Sequence, residues 1–176
     1  MRKLYHSYLS PYARRVLIVL AEKGLEYKSH KHKFARELEG LSAINPCLLL
    51  PVYIDDAVHL WGSNLIVEYL LKTYPTTPTG SPEPPLASTM TRPDHHWEDA
   101  RILATLETMT DSIMNLRQMK MSGLETNDVV YLQRQRKAPL AKVSRPACSQ
   151  LWISTCYARS AMLITTRASN GAVGPR

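Results

Sequence analysis

A chain of 176 residues can hold one domain or two small ones and can bury a core. Its 44% hydrophobic content is that of a globular protein, and no apolar run approaches the roughly 20 residues needed to cross a bilayer, so no membrane partner is expected. The net charge of +7 invites a nucleic-acid reading, but five of the seven excess charges (Lys142, Arg145, Arg159, Arg167 and Arg176) lie beyond residue 137, where there is no Asp or Glu. Without an aromatic-interleaved surface or a known module, nucleic-acid binding ranks last among the readings.

Residues 2–6 read as a short strand. Ser10 then caps a helix with Pro11 at its first position, where the missing N–H costs nothing. Val16, Leu17, Val19 and Leu20 give that helix an apolar face, and Gly24 stops it. A second strand is predicted over 25–31, followed by a polar stretch with short helical content over 34–42. Asn45-Pro46 signals a turn.

Residues 48–54 read as an apolar strand, turned by Asp55-Asp56-Ala57 into a partner strand at 58–60. Ser63 is predicted to cap a third helical segment, whose Ile66, Val67, Leu70 and Leu71 follow the helical period until Tyr74-Pro75. The order is β-α-β, a connector, then β-β-α, within about 75 residues. Pro, Thr, Ser and Gly dominate residues 76–93, which read as a linker.

Ile102, Leu106, Met109, Ile113 and Leu116 recur at spacings of four and three, predicting a long amphipathic helix over 94–121, broken at Gly123. A further helix is expected from Thr126 or Asn127 to Arg136. Residues 138–176 sustain neither period and read as a divergent basic tail, disordered or produced by a change of reading frame.

Three local features carry chemistry. Ser10 places a hydroxyl at a helix mouth, where it is either a plain cap or a donor to a bound anion. Leu50-Pro51 enters a strand, either as an ordinary trans proline or as a cis bond that turns backbone groups toward a peptide ligand. Ser63 is either a cap or a carboxylate binder at a helix N-terminus.

Other candidates are weaker. His95-His96 point about 100° apart on a helix and make a poor chelate, so no metal is expected. Cys47 reads as a buried or half-buried thiol, the alternative being a thiol that forms a mixed disulfide, and Arg14 and Arg15 read as surface charge or partners of a carboxylate. Met109, Met114, Met119 and Met121 read as core or dimer surface. Cys47, Cys148 and Cys156 form no CxxC pair, and the basic start has no apolar segment behind it. A reducing, cytoplasmic setting is expected.

Residues 1–75 resemble the thioredoxin-like N-terminal domain of glutathione transferases. The matching stretches include Lys3-Leu4-Tyr5, Ser10-Pro11-Tyr12-Ala13-Arg14-Arg15-Val16, Leu20-Ala21-Glu22-Lys23-Gly24, Asn45-Pro46, Leu50-Pro51-Val52, and Ser63 with Ile66-Val67-Glu68-Tyr69-Leu70. Residues 94–137 resemble the start of that family's all-helical second domain. The fold class implied is an α/β thioredoxin-like domain (βαβ-ββα) followed by a truncated all-α domain.

The resemblance implies a role for each matching residue. Ser10 would stabilise the glutathione thiolate. Pro51 would be the cis proline, and Leu50 before it would pair through its backbone with the cysteinyl part. Ser63 would bind the γ-glutamyl carboxylate. The expected activity is conjugation of small electrophiles, with glutathione as co-substrate, no other cofactor, and a homodimer as the family form. The sequence departs from the family at three places: Leu48-Leu49 replace a glycine and a basic or amide residue, Ala57 replaces a turn glycine, and Gly62 replaces an acidic residue. Leu48, Leu49 and Gly62 favour the alternative of a non-catalytic relative or a degenerate remnant.

Overall fold

The first strand, β1 (Lys3–Ser7), sits inside a mixed sheet of order β2-β1-β3-β4. The computed structural model describes residues 1–33, 35, 39–74, 89–124, 130 and 133, and the chain divides into two units, Met1–Met90 and Thr91–Arg176. In the first unit β1 is followed by α1 (Pro11–Glu22), β2 (Lys28–His32), α2 (Leu41–Ile44), β3 (Val52–Asp55), β4 (Val58–Trp61) and α3 (Ser63–Thr73). β1 pairs parallel with β2 and antiparallel with β3, and β3 pairs antiparallel with β4. This is the βαβ-ββα arrangement of a thioredoxin-like domain.

The core follows the periods read from the sequence except at Leu17, which is half-buried. Ala13, Val16, Val19 and Leu20 of α1 and Ile66, Val67, Leu70 and Leu71 of α3 are buried with Leu4, Val52 and Tyr53 of the sheet. Each large aliphatic side chain so buried contributes about 1.5–3 kcal/mol. Helix α1 begins as expected. Ser10 is extended at φ −86°, ψ 124°, and its Oγ accepts from the Ala13 N–H at 3.3 Å. At the other end Gly24 takes φ +59°, with its N–H on the Ala21 carbonyl and the Leu25 N–H on the Leu20 carbonyl. That Schellman pair draws Leu25 into the helix cap, so β2 starts at Lys28 rather than 25.

The strand expected over 48–54 starts only at Val52. Leu48 stands at φ +54°, and the Leu50–Pro51 peptide is cis. Buried Asn45 holds this segment from inside: its Nδ2 donates to the Leu49 carbonyl at 2.7 Å and its Oδ1 accepts from the Cys47 N–H at 2.9 Å. At the β3–β4 turn the left-handed residue is Asp56 (φ +50°), not Ala57. Aspartate tolerates that conformation better than most residues, which explains a turn without glycine.

In the second unit a 3-10 turn, Pro93–His95, leads into α4 (His96–Met121). Buried Asp99 accepts from the Arg92 backbone N–H at 2.8 Å and from the Arg92 guanidinium at 3.0 and 2.8 Å. Arg92 holds the Asp99 carboxyl below its ordinary value. The buried stripe is Asp99, Ile102, Leu103, Leu106 and Thr110, whereas Met109, Ile113 and Leu116 are half-buried. The stripe is therefore rotated from the expected one. Thr110 fits it because its hydroxyl donates to the Leu106 carbonyl at 2.8 Å. Residues 76–88 of the linker and nearly all of the helix expected to reach Arg136, together with the tail with Cys148 and Cys156, lie outside the described residues.

Two stability measurements follow from these local conformations. Leu48→Gly should raise the urea midpoint by about 0.5–1 kcal/mol equivalent, because glycine removes the left-handed penalty at a smaller entropic cost. An unchanged or lowered midpoint would contradict the positive φ. Buried His6, whose Nε2 lies 2.9 Å from Ser29 Oγ, has its pKa lowered first by burial and then by Lys31 and His32. The unfolded chain therefore binds the proton more tightly, and stability falls as pH drops below about 6.5 toward the lowered value. Urea unfolding at pH 7.5 and 5.5 should show a smaller difference for His6→Gln than for the wild type.

Candidate functional site

Strand register decides which loops meet. Tyr5 pairs with Val52, and Val52 pairs with Trp61. The C-terminal end of β1, the N-terminal end of β3 and the C-terminal end of β4 therefore share one edge of the sheet. Ser10, Leu50-Pro51 and Ser63 all stand just beyond those ends. Such an edge, where neighbouring strands diverge to opposite sides, is where open α/β sheets form ligand crevices.

Ser10 is half-buried and accepts from Ala13, which leaves the hydroxyl its own proton to donate. Pro51 is buried and Leu50 half-buried. Ser63 is buried, but it is not the cap that was expected. Gly62 occupies the cap position at φ +84°, ψ 115°, and Ser63 is the first residue of α3. The Ser63 hydroxyl is engaged instead by Arg15, whose Nη2 donates to Ser63 Oγ. Arg15 Nη1 donates to Asn64 Oδ1 at 2.5 Å.

Arg15 itself corrects the expectation of surface charge. It is 3% exposed, and its guanidinium lies 5.6 Å from the Tyr12 ring centroid. The signal was present in the helical period, because Arg15 stands four residues before buried Val19. Cys47 is also corrected: it is exposed rather than buried or half-buried. Asn45 fills the interior of the turn and binds the Cys47 N–H, leaving the thiol outside. Leu48 and Leu49 are exposed beside it.

Among the described residues no group of three His, Cys, Asp or Glu side chains is arranged to hold a metal. His95 contacts Glu98 at 3.1 Å and His96 contacts Thr91 at 2.9 Å. No described helix is long and apolar enough to cross a membrane. A cavity of about 910 Å³ opens elsewhere, lined by Arg2, Glu26, Lys28, Asp55, Asp56 and Tyr74 among others. It includes none of Ser10, Leu50, Pro51 or Ser63. Buried Asp55 there accepts from the Tyr69 hydroxyl at 3.1 Å and from the Tyr74 hydroxyl, and burial with Asp55 pushes the Tyr53 phenol upward.

Residues 4–82 match the family model described as glutathione S-transferase, N-terminal domain. The segment is thus similar to a glutathione S-transferase N-terminal domain. The chain is 37% identical over 75 residues to a stringent starvation protein A homolog of Coxiella burnetii, a match covering 43% of this chain and 36% of that protein. It is 25% identical over 145 residues to an uncharacterised GST-like protein, YibF, of Escherichia coli, covering 76% of this chain and 63% of that one. The chain thus spans between about one third and two thirds of these relatives. The fold matches a glutathione S-transferase of Methylobacterium radiotolerans, solved in complex with glutathione sulfonate, at a TM-score of 0.68 and 21% identity, over 94% of this chain and 79% of that one.

Gly62, where the resemblance sets an acidic residue, takes φ +84°, a backbone conformation that disfavours side chains. Nothing lies within 4 Å of an added Cβ, so conformation alone sets the cost. Gly62→Glu should lower unfolding stability by about 1–3 kcal/mol in urea titrations. A loss well under that range would show that the turn relaxes.

Proposed function

We propose that the chain binds glutathione at this sheet edge and that Ser10 holds its thiolate for attack on a small electrophile. The convergence of Ser10, Leu50-Pro51 and Ser63 on one edge carries the reading. The Ser10 hydroxyl donates to the sulfur. The backbone of Leu50 pairs with the cysteinyl residue as a short antiparallel strand. The Ser63 hydroxyl, at the positive end of α3, takes the γ-glutamyl carboxylate.

A free thiol with a pKa of about 8.5 is mostly protonated at neutral pH, and each unit of lowering corresponds to ~1.4 kcal/mol of preference for the anion. One hydroxyl donor and a helix N-terminus supply an effect of that size. The thiolate forms the carbon–sulfur bond as the leaving group departs with the bonding electrons. Detoxification in the cytoplasm by a homodimer is the setting this reading favours.

A second reading, a non-catalytic binding protein, draws on exposed Leu48 and Leu49 and on Gly62. They replace the polar groups that would grip the rest of the peptide.

Immobilised glutathione and a chlorinated nitroaromatic assay separate the two. The first reading expects retention and a turnover that falls tenfold or more in Ser10→Ala. Ser10→Asp keeps the helix cap while repelling a thiolate, so it should lose turnover with little loss of stability. Retention without Ser10-dependent turnover favours the second reading. Absence of both retention and turnover would sink the first.

A further inference from the structure

We infer that Arg15 is the positioning residue that fixes the hydrogen-bond polarity of Ser63. This inference deepens the glutathione reading and rests on it. A serine hydroxyl has one proton and two lone pairs, and it rotates to suit its neighbours. Arginine has donors only and does not deprotonate in proteins. With Arg15 Nη2 donating to Ser63 Oγ, one lone pair is committed and the proton must point elsewhere. Ser63 is thereby set as a donor toward the sheet edge, which is the polarity a carboxylate needs.

The geometry excludes a loose surface contact. Arg15 is 3% exposed and Ser63 4% exposed, so solvent does not compete for the pair. The second guanidinium nitrogen holds Asn64 Oδ1 at 2.5 Å, so the planar fork spans the first two residues of α3. The cation also lies near the helix end that already carries partial positive charge. Arg15 and Ser10 belong to the same stretch of α1 and its cap. One rigid element thus sets both the thiolate donor and the orientation of the carboxylate donor.

The test is calorimetric binding to the full chain, comparing glutathione with cysteinylglycine, which lacks the γ-glutamyl group. Arg15→Gln and Ser63→Ala should each weaken glutathione about ten- to a hundredfold. The double variant should be no weaker than either single one, and cysteinylglycine should bind all of them alike. Arg15→Lys keeps the charge but not the two-pronged fork, so it should recover part of the loss. If Arg15→Gln fails to fold by circular dichroism, Arg15→Lys combined with Ser63→Ala completes the cycle.

Equal weakening of both ligands, or additive losses, would overturn the positioning role while leaving the glutathione reading intact. A wild-type chain that binds no glutathione would remove both.

Discussion

The placement of β1 between a parallel and an antiparallel neighbour governs the rest of the domain. The parallel partner, β2, requires the α1 crossover, and that crossover puts a helix mouth at the C-terminal end of β1. The antiparallel partner, β3, requires the chain to enter at the same end, and the tight turn to β4 returns it there again. Three loops therefore meet at one edge as a consequence of pairing alone. The side chains on them were free to become a site without further cost to the fold.

Much of this was legible in the sequence because it rests on local chemistry. Ser10, Pro11 and Gly24 bracket α1 by capping and stopping it, and Ile66, Val67, Leu70 and Leu71 mark α3 by period. The turn at Asp55-Asp56 and the order of elements were equally readable. What was missed depends on contacts remote in sequence. The helical period of α1 turns Arg15 inward, but its partner Ser63 lies 48 positions away and no local rule names it. The late start of β3 depends on Asn45 reaching four residues forward to the Leu49 carbonyl, which an apolar run of leucines conceals. The rotated stripe of α4 has a related cause. Asp99 and Thr110 are buried because each finds a partner, so polarity alone misassigned their face.

The candidate site is uneven in its chemistry. Its Ser10 and Ser63 ends rest on hydrogen-bonded structure inherited from the helices. Its Asn45–Pro51 rim exposes Cys47, Leu48 and Leu49, with an asparagine side chain supporting them from inside. The polar ends depend on backbone elements shared with the core, whereas Cys47, Leu48 and Leu49 are exposed on a surface loop, so their side chains can change without disturbing the core. A family fold can therefore stay intact while its ligand grip changes.

Lys23 gives this arrangement a second consequence. Its buried ammonium donates to the Tyr74 carbonyl, at the far end of α3, and burial lowers its pKa. Arg15 touches the beginning of α3 and Lys23 its end, so α1 and α3 run side by side in the same direction, riveted at both ends by cations. The two cations act oppositely on the peptide dipoles of α3. Lys23 cancels the negative pole, and Arg15 adds to the positive one. The helix pair is thus a polarised object whose uncompensated pole faces the loop edge. An anion in solution meets that field before it meets any hydroxyl, over a reach of about 10 Å that shrinks as salt is added.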